Sequence, residues 1–152
     1  MAARVLQFGW DHCHRGQVLQ QAGYFVTKVE TLEFLSRELQ ETQDVAAVVL
    51  SENDPRVMEQ AADVVRRLSK APLILFRCSS LNINESKFDQ VYDGVVAPNV
   101  WLSKTAELIA QSTALRERSA RLRFEAQAVR QETERLNAQL RDELARNKPS
   151  RS

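Results

Sequence analysis

Short apolar runs alternate with amphipathic stretches along the first hundred residues, and a different rhythm follows them. Val5-Leu6-Gln7-Phe8 stops at Gly9 and predicts a first strand. A short helix carrying Val18 and Leu19 closes at Ala22-Gly23, where glycine suits a helix C-terminus. Tyr24 to Val29 is rich in β-formers and predicts a second strand. Thr31 can cap the next helix, which places Leu32, Leu35 and Leu39 on one face. Val45 to Leu50 is continuously apolar, as expected of a strand buried on both faces. Pro55 opens a helix with Val57, Ala61, Val64, Val65 and Leu68 along one stripe. Leu73 to Phe76 predicts a fourth strand, Ser79 to Asp89 is polar and weakly helical, and Gly94 to Pro98 predicts a last short strand and a turn.

Strands that alternate with helices imply a parallel sheet covered on both faces, because parallel strands need right-handed crossovers. The predicted fold class is α/β, flavodoxin-like, with a five-stranded parallel sheet in the order 2-1-3-4-5. In such a sheet the functional site lies at the carboxyl ends of strands one and three, where the strand order reverses.

From about Ser103 to about Arg146 the chain reads as one uninterrupted helix, and neither Gly nor Pro occurs between Pro98 and Pro149. Leu108, Leu115, Leu122, Val129 and Leu136 recur every seven residues, the d positions of a heptad. The matching a positions are Ser112, Ser119, Ala126, Thr133 and Leu140. A seam of this length predicts a coiled coil with Leu115, Leu122, Val129, Leu136 and Leu140 at its interface. Its small and polar a residues make it weak, or bring the helices unusually close. The expected organisation is a globular domain over residues 1–112, a helical extension over 113–147 and a disordered tail over 148–152. A homodimer through the C-terminal helix is the simplest outcome; an antiparallel pair or a different partner helix stays open.

Composition narrows the function. Hydrophobic residues make up 43% and charged residues 27% of the chain, as in ordinary globular proteins. A formal net charge of +1 argues against a surface built for nucleic acid. Arg116 to Arg123 is basic, but Glu117, Glu125, Glu132 and Glu134 break up this stretch of the helix, so no DNA-reading region is expected. No apolar run reaches the roughly 18 to 20 residues of a membrane span, and the N-terminus lacks the layout of a signal peptide. Two cysteines, Cys13 and Cys78, make no disulfide framework, and the expected location is the cytoplasm. The four glycines stand alone, so no phosphate-cradling loop, catalytic set or cofactor is expected.

Residues 4 to 112 resemble a CheY-like receiver domain of bacterial response regulators. The resemblance rests on Arg4-Val5-Leu6, on Ala22-Gly23-Tyr24 before the second strand, and on Asp44-Val45 leading into the third. Ala71-Pro72-Leu73-Ile74-Leu75 matches the fourth strand, and Ala97-Pro98 stands where receivers carry Lys-Pro. The resemblance implies an acidic metal-binding pair, a phospho-acceptor aspartate, a Thr or Ser and a lysine at the strand ends. Here the corresponding positions are Gly9 and Trp10, Ser51, Arg77 and Ala97, and only Asp11 nearby is acidic. Gly94 falls where receivers place a switch aromatic. The implied function is a non-catalytic pseudo-receiver serving as an interaction and dimerisation module in bacterial signalling.

The alternative is a phospho-accepting regulator that uses Asp54 or Asp11 with Mg²⁺. An acceptor at Asp54 places Ser51, Glu52 and Asn53 in a buried strand end, whereas Asn53-Asp54-Pro55 reads as a turn and helix cap. Asp11, His12, Cys13, His14 and Cys78 gather at the same sheet edge, but their spacing does not favour a metal site. Arg77 is expected either to cross the vacated pocket to Asp11 or Glu52, or to point to solvent. By the resemblance, the partner surface lies around the last helix, near Trp101, Lys104 and Leu108.

Overall fold

The computed structural model describes residues 2–11, 13–51, 54–77 and 83–148. The elements are β1 (Arg4–Gly9), α1 (Arg15–Gln21), β2 (Phe25–Val29), α2 (Leu32–Glu41), β3 (Val45–Ser51) and α3 (Pro55–Leu68). They continue with β4 (Leu73–Arg77), a single 3₁₀ turn (Glu85–Lys87), β5 (Gln90–Asp93) and α4 (Pro98–Arg146). All strand pairs are parallel and the sheet order is β2-β1-β3-β4-β5, as the alternating pattern predicts.

Side chains alternate across the sheet and divide the core in two. Leu6, Phe8, Val48, Leu50, Leu73 and Leu75 face α2 and α3, where Leu35, Leu39, Met58, Ala61 and Val65 meet them. Val5, Ala47, Val49, Ile74, Phe76 and Tyr92 form the other face, closed by Leu19 of α1 and Trp101 of α4. Each Val, Leu, Ile, Phe or Met among them, fully buried, contributes about 1.5–3 kcal/mol. The helix starts follow the sequence signals: Thr31 Oγ1 accepts from Phe34 N at 3.2 Å, and Asp54 Oδ1 accepts from Arg56 N at 2.9 Å, with Pro55 opening α3.

Two boundaries differ from the sequence expectation. The last strand is Gln90–Asp93 and not Gly94–Pro98. Gly94 takes a positive φ of 67°, and Val95 beyond it is 90% exposed, so these β-branched residues belong to a turn. The last helix starts at Pro98 instead of near Ser103, because a proline at the first helical position gives up no hydrogen bond. Among the described residues between β4 and β5, the only helical element is the 3₁₀ turn.

The chain divides into two units, residues 1–113 and 114–152. In the first, α4 supplies Trp101 to the core, with Leu102, Leu108 and Ile109 packed against it. Thr105, also buried, donates its hydroxyl hydrogen to the Trp101 carbonyl at 2.7 Å. In the second, Leu115, Leu122, Val129, Leu136 and Leu140 are all between 45% and 65% exposed. At 49 residues, α4 runs roughly 74 Å at 1.5 Å per residue.

Candidate functional site

Parallel register brings the ends of three strands to one edge. Gly9 lies beside Ser51, and Ser51 beside Phe76. Trp10 N donates to the Ser51 carbonyl at 2.8 Å, while the Trp10 side chain is exposed.

Asp11 fixes the start of α1. Its Oδ1 accepts from Arg15 N at 2.6 Å, its Oδ2 accepts from Gly16 N at 3.2 Å, and Lys28 Nζ stands 3.9 Å from Oδ2. The carboxylate therefore satisfies donors that a helix N-terminus otherwise leaves open. His14, the cap position, adopts a left-handed φ of 52° and makes no side-chain cap, which leaves that work to Asp11. Space is tight at Gly16: a Cβ would stand 2.5 Å from Gln7 Oε1 and would force that side chain to shift. Gln7 is buried beneath it, and its amide finds no hydrogen-bond partner among the described residues.

The side chain the sequence reading missed is Arg15. It is 5% exposed, and its Nη1 donates to Ser51 Oγ at 3.0 Å. Its guanidinium carbon sits 4.1 Å from the centre of the Phe76 ring. Phe76 in turn stacks on Tyr92 at 5.2 Å and meets Trp101 edge-on at 5.4 Å. A cation over an aromatic face is attracted to the ring quadrupole, which helps offset the cost of burying the charge. Arginine is ordinarily a surface residue. The signal that could have found it is the pair Ser51 and Phe76, adjacent on one face of neighbouring strands below the start of α1.

Tyr92 is the buried aromatic of β5, two residues before Gly94, the position that matched a switch aromatic. Its hydroxyl finds no partner among the described residues, and its pKa is raised, first by burial and then by the charge of Glu107. Ala97 is exposed, and its carbonyl accepts from Val100 N at 3.0 Å as α4 begins.

For Arg77 one arm of the expectation, the pair with Asp11, is decided. The arginine does not reach Asp11; it donates to both carboxylate oxygens of Asp93, and its Nη2 donates to Glu85 Oε1 at 2.8 Å. Two rules of sheet geometry explain this. Arg77 points to the face opposite Phe76, away from α1, and its register neighbour on β5 is Asp93. The guanidinium holds the Asp93 carboxyl below its ordinary pKa, chiefly through the hydrogen bond. Glu52, the other expected partner, lies outside the described residues, as do His12 and Cys78 of the considered metal cluster. Among the described residues no group of three His, Cys, Asp or Glu could hold a metal ion, and Cys13 is exposed.

The expected partner surface also changes. Trp101 is 3% exposed and belongs to the core, because its ring closes the aromatic cluster over Phe76. Leu108 is half-buried against the same cluster, and Lys104 Nζ stands 3.7 Å from Glu107. Among the described residues, no helix is long and apolar enough to cross a membrane.

No family model and no curated protein matches the sequence. Solved structures do. A response regulator receiver protein from Sinorhizobium medicae matches with a TM-score of 0.61 at 16% identity, over 73% of this chain and 97% of that one. The structure of an adenylate cyclase from Rhodopirellula baltica matches with a TM-score of 0.67 at 10% identity, over 81% of this chain and 98% of that one. A fusion carrying the yeast Spc42 trimeric coiled coil matches with a TM-score of 0.63 at 15% identity, over 90% and 98%. The chain thus has the fold of a response-regulator receiver domain, five parallel strands in the order 2-1-3-4-5, with a long C-terminal helix.

Proposed function

We propose that this chain is a non-catalytic receiver-like module of bacterial signalling, working in the cytoplasm, which self-associates through α4. The observation that carries the non-catalytic reading is the contact between Arg15 and Ser51. Receivers, by the resemblance, gather carboxylates and a divalent cation at this edge. Here the hydroxyl that replaces the acceptor is buried and bonded to a guanidinium, which would repel such a cation. Asp11 is engaged with two backbone amides and Asp54 caps α3, so both alternative acceptors already hold helix ends.

The exposed d residues of α4 support self-association, since isolated helices gain most of their stability from a packed face. In a parallel pair the flanking charges nearly cancel. There Glu125 faces Arg130 of the second copy, against one unfavourable match of Arg118 with Arg123. Reversing one helix would set the column of Arg123 and Arg130 against itself. The trimeric coiled coil named in one matching structure makes three helices the competing stoichiometry.

Light scattering on the full chain and on a chain ending at Thr113, each with and without a small phosphodonor, tests both halves. The full chain is expected at twice its monomer mass and the shorter chain as a monomer, with no phosphoryl group added by intact-mass measurement. An added phosphoryl group would overturn the non-catalytic reading. Equal, monomeric masses would overturn self-association.

A further inference from the structure

Between α1 and the turn that joins β5 to α4 lies a hollow of about 120 Å³, lined by Arg15 and Cys13 together with Val18, Val95, Val96, Pro98 and Trp101. Arg15 is nine-tenths buried, yet among the described residues its guanidinium forms no ion pair, and the one hydrogen bond from that group goes to a neutral hydroxyl. Buried charges are ordinarily paired, and a guanidinium presents five N–H donors in a fork that fits a carboxylate. One of those donors is spent on Ser51. From the unpaired cation and the apolar wall beside it, we propose that this hollow binds a small aliphatic carboxylate. The carboxylate pairs with Arg15, and the alkyl body lies against the valines and Trp101.

Size sets the class. A cavity of roughly 150 Å³ takes a benzene ring, so this slightly smaller one suits a body of about six heavy atoms, such as butyrate or isobutyrate. A ligand that small reaches a dissociation constant on the order of 1 mM. Inorganic phosphate fits the charge but leaves the apolar wall unused. The site is independent of the coiled coil and concerns the first unit alone.

The test is an amide-resolved NMR titration of the full chain with isobutyrate, isobutanol and inorganic phosphate. Saturable shifts are expected with isobutyrate, confined to Arg15–Val18 and Val95–Trp101, and weaker by tenfold or more with the other two. Arg15→Gln abolishes them. Val95→Asp gives the decisive second variant should Arg15→Gln fail to fold. Val95 is exposed, so the substitution leaves the fold intact while placing a competing carboxylate beside the hollow, and it weakens binding at least several-fold. An equal response to isobutanol means an apolar hollow only and overturns the proposal. So does an equal response to phosphate, an unchanged response in Val95→Asp, or no localised shift with isobutyrate.

Discussion

The two units of this chain solve the burial of apolar surface in opposite ways. Residues 1–113 enclose most of theirs: Leu6, Leu19, Leu35, Ile74 and Leu75 are fully buried, and even a charged side chain, Arg15, lies within the packing. In residues 114–148 the leucines and Val129 stay exposed, from 45% to 70%, along a single helix. Apolar spacing alone does not distinguish the two cases. A stripe repeating every 3.6 residues serves a fixed neighbour, while one repeating every 3.5 serves another helix. The first unit is therefore expected to hold its structure by itself, and the second to depend on concentration.

The largest effect that would break this comparison is a paired truncation at the two kinds of site. Phe76→Ala removes the ring shared by Arg15, Tyr92 and Trp101, and should cost about 3–5 kcal/mol of folding stability, independent of protein concentration. Leu122→Ala should leave the first unit's melting unchanged. It should instead weaken self-association by about 3 kcal/mol over two helices, roughly a hundredfold in dissociation constant. Denaturant melts across protein concentration, alongside sedimentation of the folded chain, separate the two. A Leu122→Ala chain that melts like the parent and associates as tightly would show that the seam lies elsewhere on α4.

The fold was legible because its pattern is redundant: five apolar runs, separated by amphipathic stretches, leave one sheet order as the natural choice. Asp54 and Thr31 were legible as caps because short polar side chains before an apolar stripe have few other uses. The site was less so. Val95 and Val96 have strand composition, but Gly94 turns the chain before them. Arg77 could be paired correctly only once its register with Asp93 was known, and register is not written in either strand alone. Arg15 depends on three separate elements, β3, β4 and α1, meeting at one edge. Trp101 was placed at the partner surface by the resemblance, whereas the first turns of α4 bring its ring into the core.

A smaller effect sharpens the contrast at Asp54. If its role is that of a cap, Asp54→Ala costs about 1 kcal/mol and Asp54→Ser recovers most of it, since a hydroxyl can accept the same backbone hydrogen bond. Chemical denaturation of the three chains measures this. If Asp54 instead served as a phospho-acceptor, the parent would gain mass with a phosphodonor and both variants would not.

The smallest expected effect concerns two ion pairs, one in each unit. Asp93 is bridged to Arg77 across neighbouring strands, and Glu132 to Arg135 within one helical turn. Both carboxyls have pKa values lowered by those hydrogen bonds. A carboxyl whose folded pKa lies below its unfolded value adds stability that is fully present above the unfolded value, near 4, and is lost as the pH falls through the folded one. Asp93→Asn should therefore lower the melting temperature of the first unit by a constant amount from neutral pH down to about pH 4. Below that the parent and the variant should converge. Glu132→Gln should leave that melting temperature untouched at every pH and alter only helicity in a peptide spanning residues 114–148. Both groups are exposed, so the shifts are small and shrink further with salt. A difference at Asp93 that persists unchanged to strong acid would mean that the strand-end cluster adds nothing through its charge. The pairing of Arg77 would then follow from register alone.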